Sequence, residues 1–172
     1  MDLDLEAADH LLEIVTGLTP IVFVVHNLDE LRDFDKFSEL YFRRFKISRR
    51  SFGIVTATLS VAVAVACYGT LWHGDSEPLR ALTRAIFAAL ALNAFQHVAL
   101  SITLRRSVPG LLSAALLLGP FSITGLTISA WIAGEGFFLL ACDVARGALL
   151  LVVSIAGGVT LPALAKRVLN RR

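Results

Sequence analysis

The sequence predicts an all-α protein, a polytopic membrane helix bundle of about five transmembrane helices. Three observations predict this class. Hydrophobic residues make up 56% of the chain and charged residues 17%, whereas a soluble domain has about 25% charged residues. The apolar residues are gathered into long segments, and most cationic residues lie between alternate pairs of these segments. We therefore expect residues 1–172 to form a single transmembrane domain.

Five apolar segments are the predicted spans. Four of them reach the ~20 residues that a helix needs to cross a bilayer, and the first does so only if its helix continues past His26. Alanines in the third segment and glycines in the last two favour close helix contacts. Pro120 is expected to distort the fourth segment. The spans are predicted at residues 11–27, 53–72, 81–104, 108–133 and 137–163.

The connection after the first span is predicted to be an amphipathic helix over residues 31–46, lying in the membrane interface. Its aromatic residues recur at helical spacing with charged residues between them. Two interpretations stay open: a connector that rests on the membrane, or a lid over a site that opens to the inner leaflet. The aromatic residues are Phe34, Phe37, Tyr41 and Phe45.

Charge placement predicts the orientation. The Lys and Arg residues concentrate between spans 1 and 2, between spans 3 and 4, and after span 5, whereas the N-terminal residues are acidic. The positive-inside rule then places the N-terminus outside and the C-terminus in the cytoplasm. We expect an integral protein of a bacterial inner (plasma) membrane. Its partners would be membrane lipids, whose anionic headgroups suit the basic face, and not nucleic acid.

The most informative polar residues are those of the segment His26-Asn27-Leu28-Asp29-Glu30. On a helix, positions i, i+3 and i+4 share a face, so the imidazole and both carboxylates are predicted to lie together. Ionisable groups at or near membrane depth are costly and usually have a partner or a function. This segment is the first half of a predicted site.

The second half lies in the third span, where Asn93, His97 and Ser101 follow one another at i+4 steps beside Gln96. This polar stripe is expected to face the bundle interior. His97 would lie ~12 Å above the inner end of its helix. His26 lies near the inner end of the first span, so the two imidazoles should share a leaflet and meet if helices 1 and 3 touch.

Two histidines with Asp29 and Glu30 supply the ligand types of a divalent metal such as Zn or Fe with an open coordination position. Without metal, the same groups can act as acid and base. Haem ligation is a less favoured alternative. In purely structural interpretations, the acidic segment hydrogen-bonds interfacial water, and His97 ties helices together through Asn93 or a backbone carbonyl.

Asp143 and Arg146, at i, i+3 in the last span, are predicted to form an ion pair within the membrane. One interpretation is a structural salt bridge. The other directs the guanidinium toward the polar stripe, where it would hold a carboxylate or phosphate of a substrate.

The chain resembles the HXXEE-motif membrane proteins, a family of small hydrophobic proteins whose hallmarks are that motif, a further histidine and a YxPG motif. His26 to Glu30 matches the first hallmark with Asp29 in place of the first Glu, and His97 fits the second. Ser107-Val108-Pro109-Gly110 matches the third with Ser107 in place of Tyr. The resemblance supports the predicted site without implying a reaction.

Two functions therefore stay open. The first is a membrane-embedded enzyme acting on a lipid, isoprenoid or similar hydrophobic substrate by hydrolysis, isomerisation or cyclisation. The second is a non-enzymatic transporter or small-molecule sensor that uses the same polar pocket, and homodimerisation would supply the symmetry a transporter needs. In the enzyme, the catalytic or metal-binding residues are His26, Asp29, Glu30 and His97, and the substrate-binding residues are Asn93, Gln96, Asp143 and Arg146.

Overall fold

A computed structural model describes residues 5–41, 48–74, 76–134, 140–154 and 156 of the chain. Within these ranges the regular structure is entirely helical. We number the helices in chain order, counting a turn of π-helix as part of α5. They are α1 (Leu5–Arg32), α2 (Phe34–Tyr41), α3 (Arg49–Trp72), α4 (Glu77–Leu104), α5 (Leu111–Ile132) and α6 (residues 140–154).

Four of these helices, α1, α3, α4 and α5, are long and apolar enough to cross a membrane. The helical fold class is thereby confirmed, and four of the predicted spans coincide with helices of sufficient length and hydropathy to cross a membrane. Helix α1 continues to Arg32, which meets the condition on the first span and places His26 inside the helix. The fifth predicted span coincides with α6 where the chain is described, and its two ends lie outside the described residues. The orientation stays a prediction.

The four long helices form a ring in which each packs on two neighbours, so that α1 and α4 face each other diagonally across the interior. Helices α1 and α3 run antiparallel, because Asn27 donates a hydrogen bond to Ser60 (3.1 Å) and the Tyr68 hydroxyl donates one to the Gly17 carbonyl (3.3 Å). The buried core between the helices consists of Val22, Phe23, Val63, Ala66, Cys67, Ile86, Leu90, Ala94, Ala114 and Leu118.

Small residues allow α4 to approach its neighbours closely. A Cβ atom built on Gly147 of α6 would lie 2.6 Å from the backbone nitrogen of Ala89 and 2.7 Å from the Ala88 Cβ. A Cβ on Gly125 of α5 would lie 2.7 Å from the ring of Phe87. The Gly147 contacts show that the alanine-rich face of α4 packs almost backbone to backbone on α6, as the small-residue pattern predicts, whereas Gly125 makes room for the Phe87 ring.

Helix α5 contains a π-helical turn at Ala114–Leu118, directly before Gly119 and Pro120. Proline has no N–H and its ring clashes with the carbonyl four residues earlier in a regular α-helix. The wider turn relieves that conflict, and the Gly119 N–H donates to the carbonyl of Ala114. The distortion expected at Pro120 therefore takes the form of a π turn that begins immediately after Ser113.

The amphipathic helix after the first span is present as α2. Phe34 and Phe37 are buried, and their ring centroids lie 5.5 and 4.8 Å from that of Phe52 in α3. Leu31 of α1 completes this small cluster. The aromatic face of α2 thus packs on the bundle itself. The rest of the predicted helix, residues 42–46, lies outside the described residues, as does the side chain of Tyr41.

Candidate metal site

His26 and His97 meet in the interior of the bundle. Their ring centroids are 5.0 Å apart with the rings nearly perpendicular, and the two residues are 0% and 2% exposed. They project from the diagonally opposed helices α1 and α4, so the contact spans the full width of the interior. The predicted meeting of the two imidazoles is confirmed.

Glu30 joins the two histidines. Its Oε1 atom lies 3.0 Å from the Nε2 atom of His97 and 3.5 Å from the Nε2 atom of His26. One ligand atom from each of the three residues can be chosen so that all lie within 4.8 Å of one another. Zinc binds nitrogen and carboxylate ligands at about 2.0–2.2 Å, which separates neighbouring ligand atoms by about 3–3.5 Å. The His–Glu–His cluster (His26, Glu30, His97) therefore has spacings that suit a metal ion.

The electrostatics of the cluster also favour a cation. Glu30 is 7% exposed, and a carboxylate is rarely buried without a compensating positive charge. A proton shared with the imidazoles or a divalent metal would each supply that charge. The carboxylate thus makes this cluster a site for a cation in either case.

Asp29 lies beside the cluster and not in it. Its side chain is half-buried, and its Oδ2 atom accepts a hydrogen bond from the Ser113 hydroxyl at 2.7 Å. The next residue along the helix, Glu30, is rotated by about 100° and faces the interior instead. The two neighbouring acids therefore have different partners: Asp29 binds Ser113, and Glu30 contacts the two histidines.

Ser113 is a site residue that the sequence did not reveal. Its hydroxyl contacts the Nδ1 atom of His26 at 3.1 Å, in addition to Asp29, and it also lies 3.1 Å from the carbonyl of Gly110. Serine is common in apolar helices, so a serine at position 113 does not by itself indicate a functional site. Its distance of three residues from the Pro109-Gly110 dipeptide was the only available clue.

Gly110 closes one side of the cluster. Its φ angle is +76°, a conformation that side chains disfavour. A Cβ on Gly110 would lie 2.8 Å from the Glu30 Cγ atom, 3.1 Å from the His26 Cε1 atom and 3.2 Å from the His97 Cε1 atom. Only glycine fits here, on grounds of both backbone conformation and space. The segment that resembles the YxPG motif is thereby placed directly against the cluster.

Asn93 contacts His26, whereas one interpretation of the sequence linked it to His97. Its Nδ2 atom lies 3.1 Å from the His26 Nε2 atom. Gln96 is half-buried, and the structure shows no hydrogen bond from its side chain to a described residue. Ser101 lies outside the cluster, since its hydroxyl donates to the Arg106 carbonyl (2.8 Å) in the connection to α5. The polar residues of α4 therefore have different partners: Asn93 contacts His26, His97 contacts Glu30, and Ser101 binds the connection to α5.

Asp143 and Arg146 do pair, with 2.8 Å between Oδ1 and Nη1, but the structure does not bring them to the cluster. The buried Asp143 also binds the Nε atom of Arg84 at 2.9 Å, and Arg84 in turn binds Glu77 at 2.9 Å. Arg84 is 13 residues before His97 on α4, a distance of about 20 Å along the helix. The ion-pair network thus lies toward the other end of the bundle.

Arg84 received no role from the sequence because its partner is remote in the chain. In the structure, it is buried and lines a cavity of about 390 Å³. The cavity lies between the N-terminal halves of α1 and α4 and the last turns of α3 and α5, where Thr16, Glu77, Thr70 and Ser129 also face it. Arg146 is exposed and is not in its lining.

The fold and the cluster define the class: a helical bundle with membrane-compatible helices and a buried His–Glu–His group in its interior. Residues 18–124 match a family model described as "Protein of unknown function with HXXEE motif". This range is more than half of the chain, so the protein belongs to the HXXEE family. The matched range includes His26, Glu30, His97 and Gly110. No curated protein and no solved structure matches the chain.

Proposed function

We propose that the protein is a membrane-embedded enzyme in which His26, Glu30 and His97 bind a divalent metal, zinc or iron, and act on a hydrophobic, lipid-like substrate. The observation that carries the proposal is the convergence of these three side chains, from two non-adjacent helices, on one buried point. Two histidines and one carboxylate are the ligand set of zinc hydrolases and of non-haem iron(II) oxygenases.

The chemistry available at such a site is that of a Lewis acid or of a metal-activated water. Asp29 lies beside the cluster and adds a second carboxylate for proton transfer. Asn93 and Gln96 line the same part of α4 and are the proposed substrate contacts. A substrate-binding role of Asp143 and Arg146 would belong to the far end of the bundle. Hydrolysis, isomerisation and cyclisation are each compatible with these groups.

A hydrophobic substrate is supported by the position of the site. His97 lies seven residues before the end of α4 at Leu104, which is about 10 Å along the helix. In a membrane, this depth lies below the headgroups and within the acyl chains. At the other end of the bundle, Trp72 is 83% exposed and Trp131 is 47% exposed, as in an interfacial aromatic belt.

The basic residues next to the site favour the cytoplasmic leaflet. Arg49 and Arg50 begin α3, and Arg105 and Arg106 follow α4, all of them exposed. This is the end of the bundle to which Glu30 and His97 are nearest. Under the positive-inside rule, the site would therefore open toward the inner leaflet of the bacterial plasma membrane.

The competing function is a metal-free pocket or proton relay in a transporter or sensor. One observation favours it: the Asn93 amide already occupies the Nε2 atom of His26, at 3.1 Å. Metal binding would require this amide to move away. Metal content therefore separates the two functions.

The decisive experiment is metal analysis of protein purified in detergent. Wild type is compared with His26→Ala, Glu30→Gln and His97→Ala, and with His10→Ala as a control, since His10 is exposed and lies outside the cluster. We expect about one metal per chain in wild type and control, and none in the three cluster variants with retained helicity. Wild-type protein that neither contains nor takes up zinc or iron would contradict the metal site. Lipid profiles of cells expressing wild type or His97→Ala would then identify the substrate class.

A further inference from the structure

We infer that Ser113 and Asp29 form a hydrogen-bonded chain that fixes the tautomer of His26 and presents its Nε2 lone pair to the cluster, where a ligand would displace the Asn93 amide. The inference deepens the proposed function and rests on it for the identity of the ligand. The chain runs from the Asp29 carboxylate through the Ser113 hydroxyl to the His26 Nδ1 atom, with contacts of 2.7 and 3.1 Å.

The direction of the hydrogen bonds follows from the number of protons. A serine hydroxyl has one proton to donate, whereas a carboxylate and a carbonyl can only accept. The shortest contact of Ser113 is the one to Asp29, and the carbonyl of Gly110 is 3.1 Å away. With its proton directed to Asp29, the hydroxyl oxygen can only accept at His26. The imidazole must therefore carry its proton on Nδ1.

The other side of the ring agrees with this assignment. A neutral imidazole protonated on Nδ1 has its lone pair on Nε2. The neighbour of that atom is the Asn93 Nδ2 amide, a donor, at 3.1 Å. Glu30 Oε1 is an acceptor and lies farther from Nε2, at 3.5 Å, so the amide is the nearer partner of that atom. The nearest partner at each ring nitrogen of His26 thus requires the same tautomer.

This arrangement matches what a metal site needs from its surroundings. A metal-bound histidine usually donates its other N–H to a carboxylate or carbonyl, which fixes the ring and makes the ligand more basic. Here, the carboxylate of Asp29 faces α5 and reaches the ring through a serine from that helix. Asp29 and Ser113 are therefore positioning residues, whereas Glu30 is a ligand.

The test reads the tautomer in metal-free protein labelled with ¹⁵N-histidine, since protonated and unprotonated ring nitrogens differ widely in chemical shift. The His26 signal is assigned by its loss in His26→Ala. We expect wild type to show a protonated Nδ1 and a bare Nε2. Because the Asn93 amide favours the same tautomer, the substitutions are made in an Asn93→Ala background. There, Ser113→Ala and Asp29→Asn should abolish the preference, because the first removes the acceptor and the second can donate to Ser113. The conservative variants Ser113→Thr and Asp29→Glu should retain it.

Metal affinity gives the second readout. Ser113→Ala and Asp29→Asn should weaken zinc binding by about 10–100-fold, the usual effect of removing such a partner. Ser101→Ala is the matched control, because its hydroxyl binds a backbone carbonyl outside the cluster. A wild-type His26 protonated on Nε2, or an unchanged tautomer when Ser113→Ala is added to Asn93→Ala, would overturn the inference. The expected tautomer in a protein that binds no metal would leave the chain in place and refute the proposed function instead.

Discussion

Gly110 and Glu30 lie so close together that a methyl group cannot fit between them. The Cβ of an alanine at position 110 would be 2.8 Å from the Glu30 Cγ atom. The connection between α4 and α5, residues 105–110, therefore covers the His–Glu–His cluster and is called its roof below. A ligand that approaches the cluster from this side would have to displace that connection.

The first prediction concerns this roof. Gly110→Ala introduces backbone strain and a clash with the cluster, and should lower the free energy of unfolding by roughly 1–3 kcal/mol and abolish metal binding. Gly134→Ala is a matched control, since Gly134 also has a positive φ (+61°) but no neighbour within 4 Å of an added Cβ. Denaturant titration in detergent and metal analysis provide the measurements. Equal effects of both substitutions would show that the contact with the cluster is unimportant.

The second prediction separates a metal site from a metal-free hydrogen-bond network. Asn93→Ala removes a donor that competes for the His26 Nε2 atom, so metal binding should persist or strengthen. Stability should fall by about 1 kcal/mol, the typical net contribution of one hydrogen bond. The neighbouring Gln96→Ala should change neither quantity. Zinc titration followed by thermal unfolding would check this, and loss of metal from Asn93→Ala would contradict it.

The third prediction addresses the ion pair at the far end of the bundle. Asp143→Asn removes one of two carboxylate partners of the buried Arg84 guanidinium, while Glu77 remains at 2.9 Å, and should destabilise the protein by about 1.5–3 kcal/mol. Arg146→Ala is the control, because Arg146 is largely exposed and its pairing is screened by solvent. Metal content per folded chain should not change in either variant, since Arg84 lies about 20 Å along α4 from His97. A stable Asp143→Asn protein would indicate that the pair is dispensable.

The fourth prediction tests the close packing of α4 against α6. Gly147→Ala should cost about 1–3 kcal/mol, because its Cβ would meet the backbone nitrogen of Ala89 at 2.6 Å. Gly69→Ala on α3 should be tolerated, since the nearest atom to its Cβ is a leucine methyl at 3.9 Å. Thermal unfolding of the two variants gives the comparison. Similar melting temperatures would argue against the tight contact.

The sequence predicted the helices and the meeting of His26 with His97 because both depend on position along a helix. Apolar length defines the spans, and equal depth places the two imidazoles at one level of the bundle. The partners of Asn93 and Asp29 could not be obtained in the same way. They depend on the rotation of each helix about its own axis, which is set by packing.

Ser113, Gly110 and Arg84 illustrate the same limit. Ser113 reaches His26 because α5 approaches α1 at that level, and Arg84 reaches Asp143 across 59 residues of chain. Gly110 was visible as part of a Pro-Gly dipeptide, but its contact with three side chains follows only from the path of the connection. Long-range pairing of this kind leaves no periodic pattern in one sequence.

Because of the π turn at Ala114–Leu118, the positions of Ser113 and Gly110 at the cluster depend on the number of residues in α5 as well as on their identity. Such a turn holds one residue more than regular α-helix would need. Deleting Leu116, which is 70% exposed, would remove the extra residue that makes the turn π-helical. Everything before it, Ser113 and Gly110 included, would then rotate by about 100° relative to the rest of α5. One additional residue on an exposed face of α5 thus sets the register in which the α4–α5 connection meets the histidines.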